Sequence, residues 1–217
     1  MILSFQENRR YRRILSIFFL LFISLSGYAQ EETPNAKQAR RIFETAYNQV
    51  FGSEGSCLVY DVNIVGLFKT RGKIWLKDKK QRYSDRRVDS WNDGERYYKA
   101  IKKKKIVEIY NPNSENKDKY ASRFKFTLDD FNYSITKHSD GLLITLKQKK
   151  KAKGTIKEVK ALLAPHTYAP IRLRIKVAFI WTTIKISDFH AGGIDDDVFV
   201  FPRNKYASEG WKFEDKD

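Results

Sequence analysis

The side chains best suited to acid–base or metal chemistry near neutral pH are three histidines, His138, His166 and His190. They stand far apart, with no cysteine or carboxylate at metal-ligand spacing, which argues against a zinc site. His190 follows Asp188 closely, but nothing in the pattern assigns the two an acid–base role. Cys57 is the one cysteine, so no intramolecular disulfide can form, and a thiolate nucleophile would need a base that no local motif supplies. It is expected to be a small buried apolar residue at the start of a strand. Gly52-Ser53-Glu54-Gly55 lacks the spacing of a nucleophile elbow and follows a helix pattern instead of a strand. Asp195-Asp196-Asp197 offers hard oxygen ligands for calcium but no glycine-centred loop around them, and it is read as a turn before the last strand. There is no phosphate-cradling glycine loop. The residue inventory therefore points away from an enzyme and calls for no cofactor.

The ends and the charge balance say where such a chain would work. Arg9, Arg10, Arg12 and Arg13 precede an apolar run from Ile14 to Leu25, and Gly27-Tyr28-Ala29 puts small residues where a signal peptidase reads them. The run is about a dozen residues, too short at roughly 1.5 Å per residue to cross a hydrocarbon core of about 30 Å. Residues 1–29 are expected to be a cleaved signal peptide and 30–217 the working domain. No cysteine lies near the junction to carry a lipid anchor. The whole chain has 42 basic and 26 acidic residues, and loss of the leader leaves 38 and 25, a net +13. In an exported protein that surplus is expected to meet anionic lipids or glycans of an envelope, not nucleic acid.

The domain begins with a helix. Thr33-Pro34 reads as a cap and first position, and Ala39, Ile42, Phe43, Ala46, Tyr47, Val50 and Phe51 recur at helical spacing up to Gly52. Short segments rich in β-branched and aromatic residues follow, with strands expected at Cys57–Phe68, Gly72–Leu76, Gln81–Val88, Glu95–Ile101 and Ile106–Tyr110. A polar, turn-rich stretch from Pro112 to Tyr120 and a second short helix within Ser122–Phe131 interrupt them. The strands resume at Phe131–Lys137, Leu142–Gln148, Thr155–Leu162, Ile171–Phe179, Thr182–Phe189 and Val198–Phe201. Asn92-Asp93-Gly94 and Ser139-Asp140-Gly141 mark tight turns. The fold class is mainly β (α+β): one curved antiparallel sheet of about eleven strands with helices on one face. Ile171 to Val177 alternates aliphatic and cationic residues, so that strand is half buried. Val62, Ile64, Ile74, Leu76, Tyr97, Leu142, Ile144, Leu173, Ile175 and Val177 form the expected inward set.

In order and spacing the chain resembles the periplasmic outer-membrane lipoprotein carriers, the LolA-like proteins. The resemblance is carried by Gly72-Lys73-Ile74-Trp75-Leu76-Lys77, by Asp93-Gly94-Glu95-Arg96-Tyr97-Tyr98, by Tyr110-Asn111-Pro112, and by Ile194 to Pro202. It implies an incomplete barrel with a helical lid over a hydrophobic cavity. It also implies carriage of acyl chains of lipoproteins or lipids, as a monomer, from an inner-membrane release complex to an outer-membrane acceptor. On this reading Trp75, Tyr97, Leu142 and Leu173 line the cavity, and Phe43 and Tyr47 close it. The best-known members carry an arginine after the lysine of the tryptophan strand, where it holds the lid; here Asp78 stands at that place, leaving Lys79 or Arg82 for the role. The alternative reading is an exported envelope-binding or adhesion domain that uses its basic face on anionic lipids or glycans.

Overall fold

A computed structural model describes residues 32–64, 68–113 and 127–216. The leader and most of the expected second helix lie outside the described residues; of the latter region only a 3-10 turn at Leu128–Asp130 is seen. Among the described residues no helix is long and apolar enough to cross a membrane.

Helix α1, Pro34–Phe51, follows the apolar spacing closely. Ala39, Ile42, Phe43 and Ala46 form its buried stripe, and the chain leaves the helix where the Gly52 amide bonds the Asn48 carbonyl at 2.8 Å. Strands β1 (Ser56–Ile64), β2 (Phe68–Lys77), β3 (Lys80–Asp85), β4 (Val88–Asn92), β5 (Tyr97–Ile101) and β6 (Ile106–Tyr110) form one meander. Strands β7 (Phe131–His138), β8 (Gly141–Gln148), β9 (Ile156–Leu163), β10 (Pro170–Val177) and β11 (Ile180–Ala191) form a second. The two join because β11 pairs with β1, giving the order β6-β5-β4-β3-β2-β1-β11-β10-β9-β8-β7. The sheet does not close between β7 and the far edge, and α1 lies across its concave face. This is the incomplete barrel that the resemblance to LolA-like proteins implies.

Four local features depart from expectation; in the first, the strand expected at Cys57–Phe68 ends at Ile64, and Phe68 already belongs to β2. The segment Gln81–Val88 is two strands, because the buried Asp85 carboxylate takes the amides of Arg87 and Val88 at 2.7 Å each and turns the chain. Val198–Phe201 is no strand: Asp195 caps a 3-10 turn at Asp196–Phe199, and Pro202 leads into a short helix α2, Arg203–Ser208. A twelfth strand, β12 (Lys212–Asp215), then lies parallel to β6, so the expected eleven antiparallel strands become eleven plus one parallel edge strand. This edge addition covers the unpaired groups of β6.

Two cores result, one on each face. On the concave face, α1 packs over Phe131, Tyr133, Ile144, Leu146, Val159 and Ala161 of the second meander. On the convex face, the C-terminal segment folds Phe201 and Tyr206 onto Trp91, Ala100 and Val107 of the first. Asn35 ties the start of α1 to edge strand β7 by exchanging two 3.0 Å hydrogen bonds with the backbone of Ile135, and Gln49 holds the other end to the Thr167 carbonyl at 2.8 Å.

Gly72 on β2 permits a close approach of another kind. A Cβ there would stand 2.3 Å from the Tyr60 hydroxyl and 2.6 Å from the Ser84 carbonyl, so the tyrosine ring lies over bare backbone. Gly72→Ala is expected to cost about 1–3 kcal/mol in urea unfolding through overpacking. Gly154→Ala meets only the end of the Gln148 side chain at 3.1 Å and should change stability by less than about 0.5 kcal/mol.

Candidate functional site

The stripe of α1 is too narrow to cover the whole concave face, and what it leaves is an apolar groove of about 350 Å³. The C-terminal half of the helix forms one wall with Phe43, Ala46, Tyr47, Val50 and Phe51. Alternation along the strands supplies the floor, with Leu58, Tyr60 and Val62 from β1, Ile74 and Leu76 from β2, and Ile184 and Ile186 from β11. Ala161, Leu163, Pro170 and Leu173 make the opposite side. Among the described residues no charged side chain lines it, and the polar side-chain groups are those of Gln81 and the hydroxyls of Tyr47, Tyr60 and Tyr83. Its volume lies within the range of about 300–1,000 Å³ typical of small-ligand pockets.

Tyr60 and Tyr83 stack at the floor with ring centroids 5.8 Å apart. The Tyr60 hydroxyl is buried without a hydrogen-bond partner among the described residues, and burial pushes its pKa up to about 12. Tyr83 donates to the Asp85 carboxylate at 2.8 Å, and burial again pushes its hydroxyl well above the usual tyrosine range. Gln81 and Tyr83 also border a second hollow of about 710 Å³, which Asp85, Arg86, Arg87, Lys99, Lys103 and Lys104 line. The concave face thus passes from apolar under α1 to cationic over β3–β5.

Asp85 anchors the boundary. Burial works against its charge, but four groups donate to it: the two amides that turn the chain, Tyr83, and Thr70 at 3.0 Å. Together they hold its carboxyl below the ordinary carboxylate range.

Of the residues expected to form the cavity, Phe43, Tyr47 and Leu173 line the groove. Trp75 does not: it occupies the other face of β2, where Lys73 and Arg82 lie over its ring at 4.8 and 4.7 Å. Three successive apolar residues, Ile74-Trp75-Leu76, leave the facing ambiguous in the sequence, and the outer cations resolve it. Tyr97 faces the cationic hollow, 6.1 Å from Tyr110, and Leu142 packs into the core under α1. Arg82 is held on the convex face between Trp75 and Trp91, and Lys79 stands exposed in the β2–β3 turn. Lys77 and Lys80 instead grip Asp196 at 3.0 and 3.1 Å, which turns the aspartate triplet into a clasp between that hairpin and the C-terminal segment. Tyr60 and Tyr83 were missing from the expected set; their signal was parity, Tyr60 with Val62 and Tyr83 with Gln81.

The dispersed candidates stay dispersed. His138 sits 3.6 Å from Asp140 in the β7–β8 turn, and His166 is exposed between β9 and β10. The register does set His190 opposite Cys57, with no hydrogen bond between them among the described residues. Among the described residues no cluster of three His, Cys, Asp or Glu side chains could hold a metal ion.

The sequence matches no protein-family model, and no curated protein matches it. Solved structures share its outline at low identity. A putative outer-membrane lipoprotein-sorting protein domain from Vibrio parahaemolyticus is 11% identical, with TM-score 0.42, over 79% of this chain and 99% of its own. The lipoprotein LppX of Mycobacterium tuberculosis is 10% identical, with TM-score 0.46, over 74% and 99%. A LolA superfamily protein from Nitrosomonas europaea is 9% identical, with TM-score 0.37, over 76% and 98%.

Asp85→Ala strands two amides and two hydroxyls and is expected to cost roughly 2–4 kcal/mol in chemical denaturation. Because the folded carboxyl titrates below its unfolded value, its contribution is full above the ordinary carboxylate range and is lost as pH falls through the lowered value. The gap between parent and Asp85→Ala should therefore narrow in acid, read from paired denaturation curves across pH. Tyr60→Phe removes a buried, unpartnered hydroxyl and should leave stability unchanged or raise it by up to about 1 kcal/mol.

Proposed function

We propose that the protein is a periplasmic carrier that shelters the acyl chains of a lipoprotein or lipid in the groove beneath α1. In this role it accepts its cargo from an inner-membrane release complex and yields it to an outer-membrane acceptor, acting as a monomer. The observation that supports the reading is the uncharged groove itself, left open between a single helix and a sheet that does not close. Each methylene moved from water into it contributes about 0.8 kcal/mol, so a chain of several methylenes binds without any directed polar contact. Such binding is tolerant of chain identity, which suits a carrier. The neighbouring cationic hollow gives the polar end of an amphiphile a place outside the apolar groove.

A carrier must also release. The helix wall is tied to the second meander through Asn35 and Gln49, while Phe51 at its end is 43% exposed, so cargo can enter beside the Tyr47–Phe51 pair without unfolding the core. Export frees the domain to move between membranes, and the leader supports that half of the proposal.

Protein recovered from cells should carry lipid, detected by mass spectrometry of an organic extract, and the delipidated protein should bind a fluorescent fatty acid that unlabelled fatty acid displaces. Ile74→Trp fills the groove and is expected to weaken binding at least about tenfold while the circular dichroism spectrum stays that of the parent. Absence of both co-purified lipid and displaceable binding would reject the carrier. Intact-mass measurement should place the mature N-terminus at Gln30; a full-length protein in the periplasmic fraction would count against a soluble shuttle.

A further inference from the structure

The β10–β11 hairpin is built against the usual chemistry of its turn. Val177 pairs with Ile180, so the connection is only Ala178 and Phe179. Two-residue hairpins favour Asn-Gly or Asp-Gly because their backbone takes positive φ. Here Ala178 takes φ 52, and Phe179 is 84% exposed. Neither residue serves the turn, and an aromatic ring held in water serves no core. Local rules broken without a folding gain mark places where function decides the residue.

The surroundings say what the ring is for. The β8–β9 loop lies against the tip, with the Ala178 amide 3.4 Å from the Thr155 carbonyl, and carries Lys149, Lys150, Lys151 and Lys153, all exposed. Behind the tip on the convex face, Trp181 is ringed by Arg174 at 4.8 Å, Lys160 at 5.5 Å and Lys176 at 5.8 Å. The acids beside these cations are Glu158, which Lys160 holds at 3.4 Å, and Asp130, whose backbone carbonyl takes the Lys149 amide at 2.8 Å, so the lysines of the loop remain in excess. A protruding aromatic residue, a tryptophan set back from it and a collar of lysines are the parts from which interfacial anchors are built, in which a ring enters the head-group boundary and ammonium groups meet anionic lipid. A protein partner fits less well. Lysine is depleted from protein interfaces, and a stable one needs a broad patch of roughly 800 Å² per partner, not a single ring.

We propose that the β10–β11 hairpin tip docks the protein on an anionic bilayer, with Phe179 in the interface and the lysines of the β8–β9 loop on the head groups. The proposal does not rest on the carrier reading, since the tip lies outside the groove.

Co-sedimentation with vesicles tests it, using protein expressed from the full chain so that every variant has the same N-terminus. The parent should bind vesicles of mixed phosphatidylglycerol and phosphatidylcholine, bind those of phosphatidylcholine alone weakly, and release as salt is raised. Phe179→Ser should lower partitioning at least about threefold, and Lys150→Gln, Lys151→Gln and Lys153→Gln combined at least about tenfold, each with the parent's circular dichroism spectrum. The groove-filling Ile74→Trp should dock like the parent, so a failed carrier and a failed anchor give different results. Unchanged partitioning in both tip variants, equal binding to neutral vesicles, or competition by poly-glutamate as strong as that by added anionic vesicles would overturn the assignment.

Discussion

The pairing of β1 with β11 is the constraint on which the molecule depends. Each meander alone would be a sheet with two open edges and an apolar face wider than anything available to cover it. The ladder from Ser56 opposite Ala191 to Ile64 opposite Thr182 joins them across more than half the chain. Its register sets Tyr60 beside Ile186 and Val62 beside Ile184, which are floor residues of the groove. A slip of one residue would turn those side chains outward and remove the groove along with the core.

Given that seam, the two faces are covered in different ways. The concave face receives one 18-residue helix, roughly 27 Å long, which spans the second meander but cannot also fill the space over β1 and β2. The convex face of the first meander receives the C-terminal segment, which packs Phe201 against Trp91 at 5.2 Å and Tyr98 at 4.5 Å and ends as an added edge strand. The groove is thus the part of the concave surface that neither cover reaches. It persists because the Tyr60–Tyr83 stack over Gly72 and the helix wall are each held in place by their own contacts.

Charge is sorted by the same geometry. Apolar and cationic residues alternate along β10, so Leu173, Ile175 and Val177 join the core while Arg174 and Lys176 gather round Trp181 outside. Arg82 lies between Trp75 and Trp91 in a similar way. Cations stacked on aromatic faces keep their solvation partly intact and shield apolar surface, which lets a strongly basic chain present tryptophans on its outer face.

Much of this was legible in the sequence. The α1 periodicity, the Asn92-Asp93-Gly94 turn and the alternation of β10 are local signals, because neighbouring residues alone set a helix stripe, a positive φ or a strand's two faces. The apolar facing of Val62, Ile74, Leu76 and Leu173 was equally plain. The break after Asp85 was hidden, since a side chain made the turn without glycine or proline. The C-terminal strand that became a 3-10 turn and the parallel β12 were hidden too, because both depend on a distant partner. The sequence by itself thus determined most of the elements and their order. Where the helix stops covering the sheet, and hence where the groove lies, were decided only by the long-range register of β1 on β11, which no local pattern of residues encodes.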